Sequence, residues 1–233
     1  MRMMTHEATE YYASRAPRRP SGMVRGLRAV LRIILPVVAL MAVLVWADAE
    51  KGAPATFLDS FFPADRSDLL PGYWLTYGHL VLGLMFLVLN LTNRRYGAAY
   101  AMAQVAVVWV IVGALAYVYF VHSDQPLPAS PVPPMRTSFA FVVAVLAAQI
   151  LNISVFEWTR GRPWWRAPLY ASLWGSALFC LIFFPAAYYE VGIPWTNQMI
   201  VYFGILAVMA VLLLVPYYLL RSLIRPLPGF GGA

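Results

Sequence analysis

LVLNLTNRRYG, residues 87–97, carries an apolar run through two amides and two arginines to a glycine. Asn90 and Asn93 stand three apart and so share one face of a helix. Apolar side chains followed by cations are what a membrane-crossing helix needs at its end, because only the second group belongs in water. The amides are expected to end the helix by capping its last turn, and also to border a pocket.

The same pattern extends over the chain. Of 233 residues, 61% are apolar and 12% charged, with a mean hydropathy of +0.68. A soluble domain carries roughly 25% charge, and one core could not hide this much apolar surface. The expected fold class is all-α: a polytopic membrane protein with six transmembrane helices. The spans run near 29–48, 70–92, 97–121, 137–157, 167–189 and 197–220, each close to the ~20 residues that cross hydrocarbon.

Cation placement orients the bundle. With the N-terminus inside, fourteen arginines lie on the cytoplasmic side, including Arg94, Arg95, Arg160, Arg162, Arg166, Arg221 and Arg225, against Lys51, Arg66 and Arg136 outside. That asymmetry places both termini in the cytoplasm. The organisation is a basic arm (1–26), with a short amphipathic stretch around EATEYYASR, a transmembrane domain (27–225) and a Gly/Pro-rich tail (226–233). IILPVVALMAVLVW before ADA also resembles a signal-peptide core with its cleavage site, but the long basic region ahead of it favours an uncleaved helix. Outside, Phe57, Phe61 and Phe62 are expected at the interface, HSDQPLPASPVPP as an extended loop, and Tyr188, Tyr189 and Trp195 in an aromatic belt.

The net charge of +7 and pI near 9.7 do not indicate nucleic acid, because the cations flank apolar runs rather than one soluble face. The partner they fit is the lipid bilayer. Cys180 is the single cysteine, which excludes an internal disulfide. His6, His79 and His122 are scattered without metal-ligand spacing, and no phosphate loop or nucleophile–base pair occurs. No cofactor, no metal and no enzymatic activity are expected.

Polar groups inside hydrocarbon need partners, so they are the first place to look for function. The second span carries His79 and Asn90, the fourth Gln149 and Asn152, the fifth Ser172, Ser176 and Cys180 beside Gly175. At about 1.5 Å per residue, Asn90, Asn152 and Ser172 fall in the cytoplasmic third, with Gln149 and Ser176 deeper. The candidate substrate-binding residues are Asn90, Gln149, Asn152, Ser172 and Ser176, in a layer expected to open toward the cytoplasm, with Trp174 or Phe156 stacking on a ligand. The competing reading is capping by the asparagines and close helix packing by the small residues. Glu157 near Arg160 reads as a boundary ion pair.

Three stretches together resemble the VUT family of queuosine precursor transporters: LVLNLTNRRYG, AQILNISVFEWTRGRPWWRAPLYAS and VPYYLLRSLIRP, within residues 70–225. The resemblance implies a six-helix protein of the bacterial inner membrane that moves 7-deazaguanine precursors. It also shows losses: Asn90 and Asn152 stand where the family has aspartates, Ala177 and Cys180 where it offers amides or an acid, and GILAVMAVLLLVP is apolar where it carries a lysine. Gln149 alone matches a polar position. Two readings stay open. One is a carrier for a small uncharged heterocycle; the other is a non-transporting accessory subunit, the transporter fold docked to partner subunits of a larger membrane complex.

Overall fold

The computed structural model describes residues 22–66, 69–122 and 134–228. The amphipathic stretch around residues 7–15 and the Pro-rich loop 123–133 lie outside them. The described residues fall into two units that divide between Ile34 and Leu35. Helix α1 is Gly22–Ala49, and its part in the first unit exposes Met23, Leu27, Val30, Leu31 and Ile34.

In the second unit, α1 ends and two 3₁₀ turns, Thr56–Phe61 and Pro71–Tyr73, lead to α2 (Tyr77–Leu82) and α3 (Leu84–Tyr96). Then follow α4 (Ala98–His122), α5 (Pro134–Thr159), α6 (Arg166–Tyr188), α7 (Trp195–Leu212) and α8 (Leu214–Leu223). Among the described residues, five stretches are long and apolar enough to cross a membrane: 26–49, 98–119, 135–159, 166–188 and 195–223. The protein is an all-α, polytopic membrane protein. Large apolar side chains cover its outside, among them Val110 and Leu115 of α4 and Leu212 of α7, as lipid contact requires.

The second expected span, 70–92, is not one helix. Thr76 opens α2 by donating its N–H to His79 Nδ1 at 3.2 Å, a box that satisfies a helix-start donor. At Gly83 the ladder slips: its N–H bonds Leu80 O at 3.0 Å rather than reaching back four residues. The carbonyl of His79 is taken instead by the Tyr202 hydroxyl of α7 at 2.9 Å. A second break separates α7 from α8 at Leu213. Pro216 explains it, since it has no N–H for the carbonyl four residues back.

α3 runs through both asparagines to Tyr96 and stops at Gly97, whose φ of 81° suits glycine. The expectation that Asn90 and Asn93 end the helix is therefore corrected: glycine ends it, and the amides are free to reach other helices.

α5 and α6 share the largest helix interface. Ala140, Ala144 and Ala148 on α5 and Ala171 and Gly175 on α6 are all buried, with Ala148 against Gly175, and small residues let membrane helices approach closely. A Cβ on Gly175 would lie 2.7 Å from the Phe86 ring and 3.2 Å from Ala148 O. Beyond this junction, away from the arginines, Phe179 stacks on Phe183 at 5.3 Å and meets Tyr202 edge-on at 6.1 Å. Arg136 closes that end of α6 by donating to Ala186 O (2.7 Å) and Tyr189 O (2.9 Å).

Candidate functional site

The junction of Phe86, Ala148 and Gly175 fixes the height of the next layer. One turn toward the Arg-rich end, α3 presents Asn90, α5 presents Asn152, and antiparallel α6 presents Ala171 and Ser172. Asn90 Nδ2 donates to Ser172 Oγ (3.1 Å) and Pro168 O (3.3 Å). Its Oδ1 is buried without a hydrogen-bond partner. Asn152 is fully buried, and neither its Oδ1 nor its Nδ2 has one. Three of the four polar atoms on two buried amides are thus unsatisfied, where nearly all such groups in folded proteins are paired.

Gln149 stands one turn away and is engaged. Its Oε1 accepts from Trp109 Nε1 of α4 at 2.9 Å, and its Nε2 reaches Met85 Sδ at 3.7 Å. Ser172 and Ser176 line a crevice between α6, the α2–α3 break and α7, together with Gly83, Phe86, Met209 and Leu213. Its empty space amounts to about 180 Å³ but is too narrow for a water molecule.

The layer is closed on the Arg-rich side, contrary to the expected opening. Asn93 Nδ2 donates to Ile153 O at 3.0 Å, and its Oδ1 and backbone oxygen both accept from Arg160, also at 3.0 Å. Arg160 further pairs with Glu157 at 2.6 Å and lies over the Phe156 ring at 5.5 Å. The boundary ion pair is present, and it also tethers the end of α3. Below it, Arg221 sits over Trp164 (4.9 Å) and Tyr218 (4.8 Å).

Of the five candidates, the structure brings Asn90, Asn152 and Ser172 into one layer and sets Ser172 and Ser176 on the crevice. Gln149 is held apart by Trp109. Trp174 is 60% exposed on the outer face, and Phe156 is buried under Arg160, so neither stacks over the layer. Sequence reasoning passed over Trp109 and the buried Gln104, which donates to Pro36 O at 2.7 Å. The indole carried a signal, since a buried Trp N–H usually finds a partner; Gln104 carried one too, being polar within an apolar span.

These features define a multi-pass helical membrane protein with a small, uncharged polar layer between α3, α5 and α6. Residues 76–220 match the family described as "Putative vitamin uptake transporter", and the chain belongs to that family. It is also similar to a protein of Haemophilus influenzae named "Probable queuosine precursor transporter", with 29% identity over 131 residues, 53% of this chain and 56% of the relative. The chain thus matches little more than half the length of that relative. No solved structure matches it.

Proposed function

We propose that this protein is a carrier of the bacterial inner membrane for a small, flat, uncharged heterocycle of the queuosine-precursor kind, with both termini in the cytoplasm. The observation that carries the reading is the Asn152 amide, buried with donor and acceptor both unused. A carboxamide with both atoms free is complementary to the adjacent N–H and C=O of a cyclic lactam, the edge a 7-deazaguanine ring presents. Asn90 Oδ1 supplies one more acceptor, and the Ser172 and Ser176 hydroxyls adapt as donor or acceptor. Gln149 supports this layer from above rather than contacting ligand. The layer is built of amides and hydroxyls, which suits facilitated movement of a neutral solute rather than coupling to a buried acid. Uptake of radiolabelled precursor by cells lacking their own importer tests the reading. Accumulation above empty vector is expected; equality with the vector refutes it.

One observation favours a second reading. The crevice lined by Ser172 and Ser176 has no room for a water molecule, which suits an accessory subunit with a retired transport centre. Purification in gentle detergent followed by mass spectrometry separates the two: stoichiometric partner subunits would favour the accessory role, and a lone chain would remove it.

A further inference from the structure

The two helix breaks meet. Gly83, which separates α2 from α3, and Leu213, which separates α7 from α8, line the same crevice as Ser172 and Ser176. Met209, one turn before Leu213, fills the space against Gly83: a Cβ there would fall 2.9 Å from Met209 Cε. The slipped ladder at Gly83 is held from the same helix, since Tyr202 of α7 satisfies the carbonyl of His79. Breaks in spanning helices are where carriers place their sites, because a discontinuous helix can bend and its freed backbone groups can serve a solute.

Polar geometry connects this crevice to the amide layer. Asn90 Nδ2 bonds the Ser172 hydroxyl, which lines the crevice, and the second atom of that buried amide is unpaired. The crevice has no room even for a water molecule, whereas pockets that hold organic ligands enclose roughly 300–1,000 Å³. A ring therefore enters only after α7 moves away from the α2–α3 break. Methionine suits a wall that must re-pack, being flexible and unbranched.

We propose that this crevice is the closed form of the substrate chamber, opened by bending at Gly83 and Leu213 as Met209 withdraws. Its occupant is a neutral planar lactam heterocycle that lies against Phe86, with its lactam edge at the Asn152 amide and its remaining polar groups at Ser172, Ser176 and the Asn90 amide. The inference rests on the carrier reading and adds a location: the last span, apolar throughout its middle, forms one wall.

The test uses single-cysteine forms of the full chain, with Cys180→Ala as background and a thiol on the α7 wall of the crevice, Leu206→Cys or Ala210→Cys. Ser60→Cys, in the loop before α2, is the control. Uptake of labelled precursor is measured alongside the rate of N-ethylmaleimide labelling with and without precursor. At ten times the Kd, occupancy slows labelling of either chamber thiol about tenfold, leaves Ser60→Cys unchanged, and modification abolishes uptake. Two reporters one turn apart guard against one variant failing to fold. If uptake persists while neither chamber thiol is protected, the chamber is elsewhere and the carrier reading stands. If the unmodified protein takes up no precursor, the carrier reading falls and this assignment with it.

Discussion

Replacing Asn152 by leucine separates stability from function. The native side chain places two unsatisfied polar atoms in a fully buried site, each costing about 1–3 kcal/mol. Leucine removes both penalties, and the slight crowding of its second methyl returns part of the gain at up to about 1–3 kcal/mol. The net expectation is a stabilisation of about 2 kcal/mol, or about 4–8 °C in melting temperature for a chain of this size. Uptake should be lost, because the lactam edge meets methyl groups. The assay is thermal unfolding in detergent, followed by size-exclusion fluorescence, beside uptake in whole cells. A protein kept poised for a ligand sacrifices stability at that site, so higher melting with lost transport is the diagnostic pair. A lower melting temperature would refute the reasoning, since it would mean the amide has partners worth keeping. Unchanged uptake would equally show that the amide does not touch substrate.

Gly175→Ala forces a methyl against the Phe86 ring and should destabilise by about 1–3 kcal/mol; Gly175→Ala with Phe86→Leu should recover most of it in the same melting assay. Trp109→Phe strands Gln149 Oε1 and should cost about 1–3 kcal/mol, whereas Trp109→Phe with Gln149→Leu should come back toward the native value, because removing both partners is nearly neutral. Arg136→Gln withdraws the donors from Ala186 O and Tyr189 O; hydrogen exchange over the last turn of α6 should accelerate while the Arg-rich end is unaffected.

The membrane class was legible because it depends on bulk properties: hydrophobic runs and flanking arginines survive any detail of packing. The meeting of Asn90 and Ser172 was legible for a related reason, since depth along a helix follows from counting residues. What could not be read was rotation and continuity. Gly83 looked like one more glycine in an apolar span, and its slip depends on Tyr202, more than a hundred residues away. Asn93 looked like a cap because it precedes two arginines, yet Ile153 O and Arg160 lie close enough to claim it. Gln149 was read as a ligand group because it is deep, while its partner Trp109 lies on another helix forty residues away. Closure of the layer was invisible for the same reason: Glu157 and Arg160 are local in sequence, but the bond from Arg160 to Asn93 joins two distant segments.

The bond from Gln104 to the Pro36 carbonyl has a consequence for how the first helix tolerates change. A rod that is greasy on every side has no intrinsic angle about its own axis, yet Val37, Leu40 and Val43 are turned inward. The acceptor is main chain, which any residue supplies, so the azimuth of α1 is written in α4. Drift among aliphatic residues along α1 should pass almost unnoticed, whereas a single change at Gln104 would leave that rod free to spin.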